Sequence, residues 1–203
     1  NNDTVVAEDF LINMKKVATQ SEQQLLGPVI FYKDSPDKVW ALGDRLVPGT
    51  LFFYHLLKDK PLSKNIENPL PVDMLNGCAM LVHRTVFENI GLFDTSFFMY
   101  AEEIDFCWRA KKAGYKMACV TTAKMWHKIS GSANRIRDYS LYLKIRNQIG
   151  FYRRYANIFQ IPIMFLMNSI RNLWLVTKYL VIRMPRMSLA VIKGWKDGWF
   201  VWK

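Results

Sequence analysis

Cysteine, uninterrupted apolar stretches and, over the last third of the chain, acidic side chains are all scarce in this sequence. Only three of the 203 residues are cysteine, and an odd number of widely spaced thiols fits neither a disulfide framework nor a zinc site. We therefore expect Cys78, Cys107 and Cys119 to be reduced thiols in the core of a cytosolic protein. No clean run of about 18 apolar residues occurs, so a membrane-spanning helix is not predicted.

Charges of the two signs are distributed unevenly along the chain. Residues 1–134 carry 15 Lys and Arg and 15 Asp and Glu, whereas residues 135–203 carry 13 basic side chains against Asp138 and Asp197 alone. The whole formal net charge of +11 therefore belongs to the last third. Such an excess predicts an anionic partner, either nucleic acid or a membrane surface. Because the tail is too apolar for a solvated phosphate groove and has no RNA- or DNA-binding motif, we expect no nucleic acid partner. A nucleic-acid-binding basic protein stays an alternative, and co-sedimentation with liposomes or with oligonucleotides separates the two.

The basic tail mixes apolar and cationic side chains at helical spacing. Residues 139–155 predict a basic amphipathic helix, and the apolar stretch 158–182, interrupted by Pro162 and polar residues, predicts an interfacial helix. The tryptophans that suit a lipid headgroup layer are Trp174, Trp195, Trp199 and Trp202. We predict that the tail docks in plane on the cytoplasmic leaflet of an anionic membrane. A buried helical hairpin or an oligomer interface is the alternative, and the oligomeric state stays open.

The first 134 residues alternate helical and strand-like patterns, which predicts an α/β fold. Helices are expected at residues 8–18, 84–90 and 102–113, and strands at 29–32, 39–43, 72–83 and 115–126. Gly27-Pro28 is expected to punctuate the chain before the first strand, and the proline-interrupted residues 44–71 to form a long surface loop. Gly77 interrupts the 72–83 pattern, which predicts either a packing bulge or a close backbone approach to a ligand.

Three carboxylates fall within four residues in the segment Glu102-Glu103-Ile104-Asp105. Acids in the first turn complement the positive end of a helix, which is the structural explanation. The catalytic explanation is that crowded, partly desolvated carboxylates acquire raised pKa values, and the aromatic residues 97–100 would wall a cleft beside them. Asp105 is expected to pair with Arg109, one helical turn later.

Two further residues have the chemistry of metal ligands. His127 ends a predicted strand, where its imidazole is placed to meet a carboxylate or a metal ion, although a lone histidine is more often structural. Asp3 follows Asn1 and Asn2, an arrangement that suits either a helix cap with its turn or a hard divalent cation. Spacing alone leaves both explanations open at each position.

Taken in order, a series of motifs resembles glycosyltransferase family 2, most of all its bacterial rhamnosyltransferase-like branch. The motifs are Asn1-Asn2-Asp3-Thr4, Asn76-Gly77-Cys78-Ala79-Met80-Leu81, Gly91-Leu92-Phe93-Asp94, Phe97-Phe98-Met99-Tyr100-Ala101-Glu102-Glu103-Ile104-Asp105, His127 with Gly131-Ser132, and Lys193-Gly194-Trp195-Lys196-Asp197-Gly198. The resemblance implies inverting transfer of a sugar, with rhamnose one candidate, from a dTDP- or UDP-linked nucleotide-sugar to a glycan or lipid-linked acceptor in cell-surface polysaccharide synthesis. It also implies a partial GT-A fold over residues 1–134, followed by the helical tail over residues 135–203, peripheral on the inner face of the cell membrane.

The same resemblance implies a metal site. Asp3 takes the position of the metal-binding aspartate in the family's DXD-type motif, with Asn1 and Asn2 beside it as donor-binding residues. His127 matches a histidine that joins the metal site in some members. The expected ion is Mg²⁺ or Mn²⁺.

The resemblance implies a catalytic base as well. Glu103 takes the position of that base, where the family usually has aspartate, and Glu102 is the substitute candidate. Gly77 and Cys78 are the expected donor-binding residues of the second motif.

The position of the first motif carries one more implication. In this family the nucleotide base and ribose are bound by an N-terminal half that precedes the DXD-type motif, and this sequence begins at that motif. We therefore expect a piece of a longer enzyme that is poorly active or inactive alone. A non-catalytic, membrane-associated scaffold derived from a transferase is the alternative, and donor hydrolysis by the full-length protein separates the two.

Overall fold

A computed structural model describes residues 3–128 and 136–202 of the chain. The chain forms two compact units, one comprising Asn1–Asp94 with Glu102–Ile129 and the other Thr95–Ala101 with Ser130–Lys203. Among the described residues, the first unit is α/β and the second is helical. The predicted boundary at residues 134 and 135 lies outside the described residues and stays a prediction.

Within residues 3–128, a six-stranded sheet forms the centre of the first unit. The strands of this unit are β1 (Thr4–Val6), β2 (Leu25–Tyr32), β3 (Val39–Ala41), β4 (Asp44–Leu46), β5 (Phe53–His55), β6 (Leu70–Pro71), β7 (Leu81–Val82) and β8 (Met117–His127). β8 pairs in parallel with β2 and antiparallel with β1 and β6, while β2 also pairs antiparallel with β3 and β7. β2 and β8, the long strand that ends at His127, are therefore the two central strands of the sheet, and each of its shorter strands pairs with one of them.

The two central strands are buried, and this burial explains their composition. Seven of the eight residues of β2 are buried, as are most of those of β8, so both strands read as apolar runs. The prediction that Gly27-Pro28 precedes the strand is wrong, because β2 begins at Leu25 and contains both residues. The pairing of β2 with β8 shifts register between Pro28 and Val29, and such an irregularity accommodates a proline that has no N–H to donate.

The three helices found among residues 3–128 lie close to their predicted positions. They are α1 (Phe10–Gln20), α2 (Arg84–Ile90) and α3 (Glu102–Lys112). α2 ends at Gly91, whose φ of 79° is a conformation that glycine adopts without strain. α1 buries Phe10, Met14 and Val17 against the sheet, as its apolar spacing predicts.

Two expectations about residues 44–83 are wrong, one for a loop and one for a strand. The predicted loop 44–71 contains β4 and β5, which form a separate two-stranded sheet, and it ends in β6. The predicted strand 72–83 forms regular pairing only in β7, because Asn76-Gly77-Cys78 folds into a turn. β6 and β7 depend on partners that are distant in sequence, and β4 and β5 are each only three residues long, so local pattern misplaces them.

The second unit contains three helices among the described residues, α4 (Arg137–Tyr155), α5 (Gln160–Val181) and α6 (Pro185–Lys196), followed by a π-helical turn, Asp197–Val201. Glycines let α4 and α6 approach closely: a Cβ atom on Gly194 would lie 2.8 Å from the Tyr142 carbonyl oxygen. A Cβ on Gly198 would lie 2.8 Å from the Ile149 Cβ. Across residues 3–128 and 136–202, no helix is long and apolar enough to cross a membrane.

Candidate active site

Asp3 and His127 meet at one edge of the sheet. β1 pairs with the end of β8 so that Thr4 is opposite His127, and the Lys128 amide donates to the Asp3 carbonyl oxygen at 2.9 Å. This antiparallel register places the Asp3 Oδ2 atom 3.2 Å from the His127 Nε2 atom. Asp3 is thus followed directly by strand β1. The sequence interpretation in which Asp3 belongs to the cap and turn of a helix does not apply.

The His127 imidazole is held on its other sides by two neighbours. His127 is only 8% exposed, and its ring centroid lies 4.8 Å from that of Trp40. Its Nδ1 atom lies 3.8 Å from the Cys78 Sγ atom. The ring therefore presents one nitrogen to the carboxylate and the other to a thiol, an arrangement that fixes the ring plane.

The turn at residues 76–78 connects this pair to the acidic helix. The Cys78 amide donates to the Asn76 side-chain oxygen at 3.0 Å, which closes the turn. The residue between them, Gly77, faces Glu103: a Cβ atom on Gly77 would lie 3.4 Å from the Glu103 Cβ. One turn thus touches His127 through its cysteine and Glu103 through its glycine.

The three acids of α3 lie in different environments. Burial raises the pKa of the Glu102 carboxyl, and its Oε2 atom is buried without a hydrogen-bond partner within the described residues. Asp105 is fully buried and pairs with Arg109 at 2.8 Å, as predicted. The same guanidinium donates to the carbonyl oxygens of Ile90 and Leu92 at 2.6 and 2.9 Å. Asp105 therefore belongs to a structural network, which leaves Glu102 and Glu103 as the candidates for chemistry.

The structure brings most of the predicted site residues into one region of the first unit. Asp3 contacts His127, which contacts Cys78, and Gly77 of the same turn faces Glu103. Asn1 and Asn2 lie outside the described residues. Trp40 and Asn76 also line this region but are not among the predicted site residues. An Asn-Gly pair is a recognised turn signal that identifies Asn76, whereas no local pattern marks Trp40.

The chemistry of Asp3 and His127 can be compared with what a divalent ion requires. Within the described ranges, no group of three or more His, Cys, Asp or Glu side chains is arranged to hold a metal. The Asp3 Oδ1 atom, however, is buried and has no hydrogen-bond partner there. Mg²⁺ is commonly held by one or two carboxylates together with substrate phosphates. The pair therefore fits an ion that takes its remaining ligands from a bound diphosphate.

Comparison with known proteins places the chain in a family. Its sequence matches the family described as glycosyl transferase family group 2 over residues 1–202. Because the match covers nearly the whole chain, the protein belongs to this glycosyltransferase family. The motif-based resemblance to family 2 is thereby confirmed.

Individual relatives are similar over shorter stretches. The low-salt glycan biosynthesis hexosyltransferase Agl10 of Haloferax volcanii is 36% identical over 83 residues, which cover 40% of this chain and 27% of the relative. The N-acetylglucosaminyl-diphospho-decaprenol L-rhamnosyltransferase of Mycobacterium tuberculosis is 38% identical over 65 residues, 32% of this chain and 21% of the relative. Rhamnosyltransferase WbbL of Escherichia coli is 28% identical over 122 residues, 58% of this chain and 46% of the relative. The matched region therefore spans less than half the length of each of these proteins.

Proposed function

We propose that the protein that carries this chain is an inverting, metal-dependent glycosyltransferase that moves a sugar from a dTDP- or UDP-linked donor to a glycan or lipid-linked acceptor. The observation that carries the proposal is the Asp3–His127 pair, 3.2 Å apart, joined through the 76–78 turn to Glu103. A transferase of this kind requires both a site for the donor diphosphate and a carboxylate for the acceptor proton. The family membership supports the same reaction class.

In the proposed reaction, each of these residues has a separate task. The bond between the anomeric carbon and the diphosphate oxygen breaks, and the acceptor oxygen forms a bond to that carbon from the opposite face. Glu103 accepts the proton that the acceptor hydroxyl loses. A divalent ion held by Asp3 and His127 would neutralise negative charge on the departing nucleoside diphosphate. Glu102 is the second candidate base, because a raised pKa favours proton acceptance near neutral pH.

The names of the relatives support the substrate class. One relative is named for transfer of L-rhamnose to an N-acetylglucosaminyl-diphospho-decaprenol, and another is named a rhamnosyltransferase. We infer that the acceptor of this protein is likewise a sugar or a lipid-linked glycan, and that rhamnose is the first donor sugar to assay. The reaction would then serve cell-surface polysaccharide synthesis.

The metal part of the proposal is tested by binding in the full-length protein. UDP or dTDP with Mn²⁺ is expected to raise the melting temperature, since a ligand that binds only the folded state stabilises it. Asp3→Asn and His127→Asn should abolish the increment due to the metal, whereas Asp9→Asn, on an exposed residue of the same unit, should keep it. An unchanged metal increment in Asp3→Asn contradicts the assignment.

The base is tested by turnover. Glu103→Gln is expected to lower kcat by at least about 100-fold while leaving nucleotide binding intact, because only proton transfer is removed. Glu102→Gln and the exposed-acid control Glu88→Gln should have smaller effects. If Glu102→Gln causes the larger loss, the base is Glu102. If the wild-type protein binds nucleotide but never transfers a sugar, a non-catalytic scaffold is the better conclusion.

We further propose that the second unit docks on the cytoplasmic face of an anionic membrane. Its helix α5 exposes many large apolar side chains, including Ile163 (58%), Leu166 (60%), Ile170 (61%), Leu173 (67%) and Trp174 (60%). A patch of this size on a helix surface indicates an interaction site. α5, α6 and the turn between them also expose Lys178, Arg183, Arg186 and Lys193.

Charge favours a membrane over a second copy of the chain as the occupant of this face. Residues 139–196 contain no acidic side chain, so two copies that meet through this face would bring like charges together. Anionic lipid headgroups instead attract each basic side chain by about 1 kcal/mol near the surface. Apolar burial adds a component that salt does not screen.

Vesicle flotation tests the docking. Binding of the full-length protein should rise with the fraction of phosphatidylglycerol in phosphatidylcholine vesicles and fall only partly at high salt. Equal binding to neutral vesicles, or complete loss of binding in high salt, contradicts the model. Concentration-dependent dimerisation without vesicle binding would assign the face to an oligomer interface.

A further inference from the structure

A short loop in the second unit, Thr95–Ala101, has an unusual backbone. Three of its residues adopt left-handed φ values although none is glycine: Phe98, Tyr100 and Ala101, at 58°, 70° and 71°. A side chain with a Cβ atom disfavours this conformation. Such outliers persist only where surrounding contacts enforce them, and they concentrate at functional sites. The next residues in the chain are Glu102 and Glu103.

Asn147 of α4 supplies the enforcing contacts. Its side chain is fully buried, and its Nδ2 atom lies within hydrogen-bond distance of three loop carbonyl oxygens, those of Phe97 at 2.6 Å, Met99 at 2.8 Å and Tyr100 at 2.8 Å. Two amide hydrogens are thus shared among three acceptors. The Asn147 Oδ1 atom accepts from the Arg146 Nε at 2.8 Å, which determines which end of the amide faces the loop.

Other contacts within the same unit hold the loop against α4 and the end of the chain. Phe97 is fully buried, with its ring centroid 4.9 Å from that of Trp202. The Arg146 guanidinium donates to the Ser96 carbonyl oxygen at 3.2 Å. The Lys144 amine lies 4.7 Å from the centroid of the Tyr100 ring. Of these contacts, the Asn147 amide is the one that binds the left-handed part of the backbone directly.

We propose that Asn147 is a positioning residue for the sugar-transfer reaction. It acts through the chain: Ala101 is bonded to Glu102, so the backbone conformation that Asn147 holds at residues 97–101 is the one from which the chain enters the first turn of α3. A change in that conformation is expected to move the Glu102 and Glu103 carboxylates. This inference rests on the proposed function, in which Glu103 or Glu102 is the base. A displacement of about 1 Å at a reacting group is enough to lower a rate about 100-fold.

An isosteric exchange separates this role from simple packing. Asn147→Asp keeps the shape of the side chain but replaces the donating NH₂ by an oxygen, which repels the loop carbonyls. The matched control is Gln148→Glu, the same amide-to-acid exchange at the next residue. The Gln148 amide contacts the Tyr152 hydroxyl at 2.9 Å and the Arg171 guanidinium at 2.7 Å, and neither belongs to the loop.

Hydrogen exchange and kinetics are measured on the full-length protein and both variants. In Asn147→Asp, peptides that contain the Phe98 and Met99 amides should exchange at least about tenfold faster, and kcat should fall about 10- to 100-fold while the donor KM stays within about twofold. Gln148→Glu should change neither quantity. A purely structural residue would instead lower the amount of folded protein without separating kcat from KM.

Each outcome is decisive. Unchanged exchange in the loop overturns the proposal, and faster exchange with an unchanged kcat overturns the positioning role. If Asn147→Asp does not fold, Asn147→Ser, which retains one donor, should show a smaller effect of the same kind, and wild-type behaviour of this variant also overturns the proposal. If the wild-type protein transfers no sugar, the proposed function fails, while the exchange measurement still tests the hold of Asn147 on the loop.

Discussion

Replacing three exposed apolar residues of α5, Leu166, Ile170 and Leu173, by serine should weaken vesicle binding by at least about 100-fold. The three positions are spaced i, i+4 and i+7, so they lie on one face of the helix. They are 60%, 61% and 67% exposed. The substitutions therefore remove apolar surface from the proposed docking face and leave the packed face of α5 intact.

The size of the effect follows from this exposure. Full burial of a Leu or Ile side chain contributes about 1.5–3 kcal/mol, so burying the exposed 60% or more in lipid contributes about 1–2 kcal/mol at each position. Three positions together give about 3–6 kcal/mol. Because about 1.4 kcal/mol corresponds to a tenfold change in an equilibrium constant, the partition coefficient should fall by about two orders of magnitude or more.

The assay is flotation with vesicles that contain phosphatidylglycerol, at low and at high salt. The matched control is the triple variant Leu11→Ser, Ile12→Ser and Leu92→Ser, whose wild-type residues are 75%, 69% and 74% exposed in the other unit. The control should bind like the wild-type protein. Equal losses in the two triple variants, or no loss in the α5 variant, would refute the assignment of this face to the membrane.

Three predictions concern stability. Burial raises the pKa of the Glu102 carboxyl, so its ionisation costs stability as pH rises through that pKa. Glu102→Gln should therefore raise the free energy of unfolding at pH 7 but not below about pH 4. A gain that is equal at both pH values in urea titrations contradicts this. Gly194→Ala should lower the free energy of unfolding by about 1–3 kcal/mol, since the new Cβ would lie 2.8 Å from the Tyr142 carbonyl oxygen, and an unchanged urea midpoint argues against that close approach. Arg109→Met should lower the free energy of unfolding by about 3–5 kcal/mol in the same titration, because it removes the guanidinium from the fully buried Asp105. A loss below about 1 kcal/mol would show that the pair is not buried.

Local sequence signals were sufficient for α1, α2 and α3 and for the longest strand. Arg84–Ile90 ends at a glycine, and Glu102–Lys112 begins with acids and ends with lysines, which are signals confined to one or two helical turns. The strand that ends at His127 is long and strongly apolar. These elements are predictable because the residues that stabilise them are neighbours in the chain.

The remaining strands were decided by tertiary pairing. β4 and β5 stabilise each other in a region that reads as a loop, and β2 continues through Gly27-Pro28 because β8 supplies hydrogen bonds along most of its length. The converse error concerns residues 72–83, whose apolar pattern arises from burial of Val72, Met74 and Leu75 in the core without continuous strand pairing. Burial and strand pairing produce the same apolar pattern in sequence, so the pattern by itself does not separate them.

The side chains with the chemistry for the proposed reaction are recognisable in the sequence: a carboxylate and an imidazole for a metal, and adjacent glutamates for a proton. That Asp3 faces His127 follows instead from the fold, because the antiparallel pairing of β1 with β8 joins the first and the last strand of the first unit. No pattern in the sequence indicates that Asn147 binds the loop that precedes Glu102. Its hydrogen bonds join residues 47 to 50 positions apart, and a contact between one amide and the backbone of another segment leaves no periodicity from which it could be predicted.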